Sequence, residues 1–98
     1  MGRVVYSAAS RSDMQAIWLW YARESSADLA DRILDTIEAR IARLGVYPAL
    51  GPPRPDIAAT ARALTVNRWI VLYEIQPGHV RIMRVQDSVR NLGNIEWP

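Results

Sequence analysis

Apolar side chains recur at Met14, Ile17, Trp18 and Tyr21, and again at Ala30, Ile33, Leu34, Ile37, Ile41 and Leu44. Steps of three and four residues gather each set on one side of a helix. Ser10-Arg11-Ser12-Asp13 offers N-caps for the first helix, which the pattern carries to about Glu24. Ser25-Ser26 ends that helix and caps the second, which Gly45 and Pro48 bring to a stop. So short a link makes the two helices antiparallel neighbours. Before them, Val4-Val5-Tyr6 suits a short strand. After them the pattern changes. Pro48 to Pro55 holds four prolines and Gly51 and reads as a stiff, extended linker. Arg62 to Val66, Trp69 to Ile75 and Val80 to Val85 then read as strands, turned at Asn67-Arg68 and at Pro77-Gly78. The expectation is an α+β fold: a short N-terminal strand, an antiparallel helical hairpin and a three-stranded antiparallel meander. It occupies one domain over 1–98, with 86–98 as a polar tail carrying Val89, Leu92, Ile95 and Trp97 as apolar anchors.

The pattern holds more apolar positions than one interior needs. In the middle strand Trp69, Val71, Tyr73 and Ile75 face one way, and Ile70 and Leu72 the other. A strand apolar on both faces is covered on both, and one hairpin covers one face. On the first helix, Leu19 and Trp20 lie off the inward stripe. Both observations point to an uncovered apolar surface for a partner, against the plainer alternative that the N-terminal strand, the linker and the tail cover it.

Composition narrows the chemistry. Ninety-eight residues allow one core and a shallow groove, not a deep cofactor cavity, and no cofactor is expected. There is no cysteine and His79 is the single histidine, which excludes disulfides, thiolate metal sites and multi-histidine sites. No apolar run approaches the roughly 20 residues that span a bilayer, and no signal-peptide core opens the chain, so a cytoplasmic protein is expected. The net charge of +2 is unevenly spread: residues 12–47 carry a net −2 and the remainder +4. All twelve basic residues are arginine. Arginine does not exchange protons near neutral pH, but it clamps carboxylates and phosphates. Arg62, Arg81, Arg84 and Arg68 fall on the strands and their turn, as a weak anion-binding group. Alternation puts Arg84 on the face of Val80 and Ile82, where it interrupts an apolar row, pairing with an acid such as Glu74 or Asp87. The net charge is too small for a sizeable nucleic-acid footprint.

The order of elements, together with Ala27-Asp28-Leu29-Ala30-Asp31-Arg32-Ile33, Leu44, Pro48, Gly51, Arg54-Pro55, Arg62-Ala63-Leu64, Trp69-Ile70-Val71-Leu72-Tyr73 and Val80-Arg81-Ile82-Met83-Arg84-Val85, resembles the RelE/ParE toxin superfamily of bacterial toxin–antitoxin systems. The resemblance covers about residues 4–92 and is nearer to the ParE branch. It implies one of two activities. ParE-like toxins bind and block DNA gyrase; RelE-like toxins cleave messenger RNA on the ribosome. Cleavage asks for a base, an acid and positive groups on the phosphate. Arg62 and Arg84 match the family's strand arginines, and Asp87 is the available base. But the lysines are missing, and Gln86-Asp87-Ser88 stands where a histidine or tyrosine is usual. His79 falls in a turn. The ribonuclease and an inactive antitoxin-binding member remain as alternatives to a gyrase-binding inhibitor. The resemblance also implies a ParD-like antitoxin whose C-terminal segment folds on the toxin in a hetero-oligomer. Trp18, Leu19, Trp20, Ile70, Leu72, Arg81 and Met83 are its expected contacts, and Arg62, Arg84, Arg90 and Trp97 those of the target.

Overall fold

The computed structural model describes residues 2–89, 92 and 95–98. Strand β1 (Arg3–Tyr6) leads into helix α1 (Ala8–Glu24) and helix α2 (Ala27–Ala42); single 3-10 turns follow at Arg43–Gly45 and Pro48–Leu50, and then strands β2 (Arg62–Val66), β3 (Trp69–Gln76) and β4 (His79–Asp87). The sheet order is β1-β4-β3-β2. The meander is antiparallel, as alternation and turn residues require. The N-terminal strand joins it in parallel, from Arg3 opposite His79 to Tyr6 opposite Ile82. Asn67, at φ 56°, takes the left-handed conformation at the β2–β3 turn, which asparagine tolerates better than most residues.

Helix α1 begins three residues before the expected caps. Ser7 is its N-cap and accepts from the Ser10 amide at 3.0 Å. Ser7 also has a second set of partners that only the fold supplies. Its amide donates to the Ile82 carbonyl at 2.9 Å and its hydroxyl to the Met83 carbonyl at 2.8 Å. One buried serine therefore ends β1, starts α1 and ties both to β4. Ser26 caps α2 by accepting from the Leu29 amide at 3.1 Å.

The main core lies between the hairpin and one sheet face. Met14, Ile17, Leu34, Ile37, Ile41 and Leu44 pack there on Leu64, Val66, Val71, Tyr73, Val80, Ile82 and Val85. The opposite face is not left bare. Ala63, Ile70 and Leu72 form a second cluster with Leu92, closed by Ile57, Ile95 and Trp97. Covering by linker and tail is therefore what occurs, and the expected apolar opening at Ile70 and Leu72 is filled by the chain itself. Met83 is likewise buried.

Strand β4 contains one residue more than β3 needs. Leu72 pairs with Arg84 but Tyr73 with Ile82, so Met83 is the extra residue of a β-bulge. The bulge moves Arg84 to the face of Leu72 and of the Glu74–Arg81 pair, away from Val80 and Ile82. The strand also runs on to Asp87, into the segment expected to be tail.

The linker is a folded edge, not a free spacer. Pro53 bridges Arg62, the Ala63 amide donates to the Pro52 carbonyl at 3.0 Å, and Arg54 N to Ala61 O at 2.8 Å. Tyr73, fully buried, holds it from beneath: its hydroxyl donates to the Pro48 carbonyl at 2.5 Å and accepts from the Gly51 amide at 2.9 Å.

Candidate functional site

Each residue of the hypothetical ribonuclease set is engaged in a different structural contact. Arg84 grips Asp13 of α1 through two hydrogen bonds, Nε to Oδ2 at 2.8 Å and Nη2 to Oδ1 at 3.0 Å, and its Nη1 donates to the Glu96 carbonyl at 2.8 Å. The bond to Asp13 raises the guanidinium's pKa further, against the opposing effect of its partial burial. The expected acid partner, Glu74 or Asp87, is thus replaced by one across the sheet edge. Arg62 donates from Nε to the Gly51 carbonyl at 2.7 Å and from Nη2 to Ala49 O at 3.3 Å, bracing the linker. Asp87 is paired with Arg68 and accepts from the Val89 amide at 3.1 Å. Both bonds, that from Arg68 first, hold its carboxyl below the usual range, which makes it a weak base. No common point is left to these three for gripping a phosphate and moving its protons. His79 lies at the start of β4 with Nδ1 3.2 Å from the Pro77 carbonyl. Among the described residues no group of three or more acids and histidines is placed to hold a metal ion.

The other expected contacts are distributed as follows. Trp97 packs on the outer sheet face and donates its indole N–H to Glu74 Oε2 at 3.1 Å. Glu74 also receives the Thr60 hydroxyl and, on Oε1, the Gln76 amide at 3.0 Å, so it gathers linker, strand and tail at one carboxylate. Arg81 is partly exposed, opposite Glu74 on the outer face. Arg90 lies outside the described residues. Trp18, Leu19 and Trp20 do not share a surface. Trp18 and Leu19 line a groove of about 550 Å³ with Tyr6, Arg11, Met14 and Glu38. Trp18 is fixed there by its indole N–H bonding Asp31 Oδ1 at 2.8 Å, across the hairpin. Trp20 instead borders a cleft of about 330 Å³ at the far end of β4. Leu19 is 40% and Trp20 51% exposed, the apolar excess that helical spacing predicts for α1. Val46, Tyr47 and Leu50, exposed beside the linker, add apolar surface the periodicity did not single out. They follow the end of α2, where no repeating pattern flags them.

The family model described as "ParE toxin of type II toxin-antitoxin system, parDE" matches residues 4–92. This chain belongs to the ParE toxin family. Toxin ParE3 of Caulobacter vibrioides is 30% identical to it over 92 residues, which is 94% of this chain and 92% of that one. A chain of the chromosomal ParDE toxin–antitoxin system from P. aeruginosa has the same fold, with a TM-score of 0.79 at 18% identity, over 89% of this chain and 96% of that chain. In this ParE-family toxin, then, Arg62 and Arg84 brace the fold, and exposed apolar side chains stand on α1 and beside the linker. Among the described residues no helix is long and apolar enough to cross a membrane.

Proposed function

We propose that this ParE-family toxin arrests growth in the cytoplasm by binding DNA gyrase and is neutralised by a ParD-like antitoxin. The observation that carries a binding rather than a hydrolytic role is the engagement of Arg62, Arg84 and Asp87 in three separate structural contacts. An antitoxin segment suits the groove at Trp18 and Leu19. Its walls are apolar, its rim holds Arg11 and Glu38, and an amphipathic helix binds such a groove by its apolar side. Family membership supports gyrase as the target. A supercoiling assay with purified gyrase tests this. Inhibition that the cognate antitoxin relieves is the expected result, and full supercoiling at saturating toxin overturns it. Transcript cleavage on translating ribosomes would favour the ribonuclease instead.

A further inference from the structure

Strand β4 outlasts its neighbour. β1 accompanies it only as far as Tyr6 opposite Ile82, after which the chain turns into α1. Residues 84–87 continue to pair with β3 but have no strand on their other side among the described residues. The fold occupies the first outward backbone groups with side chains. The Ser7 hydroxyl donates to the Met83 carbonyl at 2.8 Å, and Asp13 Oδ2 accepts from the Val85 amide at 2.9 Å. Among the described residues the next outward groups have no such partner. Inward and outward directions alternate along an antiparallel ladder. The Ser88 amide donates across to the Arg68 carbonyl at 2.8 Å, so Gln86 is directed at β3, and Val85 and Asp87 away from it. The Val85 carbonyl and the Asp87 amide therefore point outward, and no described residue bonds either one.

Val85 and Asp87 both line the 330 Å³ cleft, whose lining also includes Ala16, Ile17 and the half-exposed Trp20. A carbonyl and an amide two residues apart on one strand edge match the N–H and C=O of a single residue on a parallel strand. β1 already runs parallel to β4 on that side. We infer that this slot receives an extended segment of a partner protein by strand addition. One residue of the segment pairs across Gln86, and a neighbouring apolar side chain rests on Trp20. A helix does not serve here, because its own backbone groups are already bonded to one another. The slot is separate from the Trp18–Leu19 groove and does not depend on which target the toxin acts on.

The test is an NMR titration of the full chain with a capped heptapeptide of alternating valine and threonine, beside the same peptide fully N-methylated. The expected result is a shift of the Asp87 amide and about tenfold slower hydrogen exchange there. The N-methylated peptide has no donor for the Val85 carbonyl and should leave Asp87 unchanged. Trp20→Ala, at an exposed site, should weaken the response and leave the fold intact. Four results would overturn the assignment: no response at millimolar peptide, a response confined to β1 or to the Trp18–Leu19 groove, equal action by the N-methylated peptide, or concentration-dependent Asp87 shifts without peptide, which give the slot to a second copy of this chain. Gyrase inhibition is measured independently, so either reading can fail alone.

Discussion

Arg84 of β4 and Asp13 of α1, 71 positions apart, form a two-bond ion pair that also caps the Val85 amide. Both side chains are mostly buried, at 17% and 12% exposure. Removing either partner leaves a desolvated charge behind. Asp13→Ala and Arg84→Ala should each lower stability by about 2–3 kcal/mol. The double variant should cost less than the two together, since the second loss removes the stranded charge. Urea midpoints for the four proteins check this. Arg84→Ala that stayed as stable as the parent but lost toxicity would return this arginine to the target surface.

Gly51 has no room for a methyl group. An added Cβ would lie 2.5 Å from the Ala63 carbonyl oxygen and 3.0 Å from the Tyr73 ring. Backbone freedom is not the reason, since its φ is −89°. Gly51→Ala should cost about 1–3 kcal/mol through displaced linker and strand. Tyr73→Phe, which strands the Gly51 amide and the Pro48 carbonyl, should cost a similar amount. Thermal unfolding of both variants measures it.

The outer sheet face depends on its tail. Leu92→Ala should lose about 2–3 kcal/mol, and Trp97→Ala, partly buried and bonded to Glu74, about 1–2. Ending the chain at residue 91 should uncover Ile70 and Leu72 and raise binding of a hydrophobic dye. Unchanged dye binding would mean that some other segment covers them.

Antitoxin and target should respond differently to Leu19→Arg. The site is exposed and off the core, so folding should change by less than about 0.5 kcal/mol. Antitoxin affinity should fall at least about tenfold if the Trp18–Leu19 groove is its seat. Titration calorimetry with the antitoxin, beside a supercoiling assay, separates the two effects.

Acid should release the Arg68–Asp87 tie. The folded Asp87 carboxyl titrates below its ordinary value of 3.8. A carboxylate depressed by folding stabilises the fold above its unfolded pKa and loses that contribution as pH falls through the folded one. The stability difference between parent and Asp87→Asn should be constant near neutrality and shrink below about pH 4. Unfolding curves from pH 7 to 2.5 follow it.

Strands β2 and β3, the turn at Asn67 and the stripe of α2 were legible because each repeats a simple period. Ser7 was not, because its preference over Ser10 and Ser12 comes from Ile82 and Met83, some 75 positions away. Two-sided burial of β3 was legible as well, but not what achieves it: Leu92, Ile95 and Trp97 are too sparse to form a pattern. The bulge left a faint trace in the adjacent apolar pair Ile82-Met83 between two arginines. Strict alternation reads through it and assigns Arg84 to the wrong face, hiding its bond to Asp13.

That single extra residue sets the phase of everything after it. With Met83 deleted, β4 would regain unbroken alternation and Arg84, now following Ile82 directly, would stay on the outer face beside Leu72; with Met83 kept but the bulge flattened, Arg84 would instead turn toward the hairpin. Substitutions at 83 can be accommodated by repacking, and its loss by straightening of the strand; an added residue there would turn every later side chain over. Members of the family with one residue more at this point would need a compensating length change before Asp87 to present the same side chains outward.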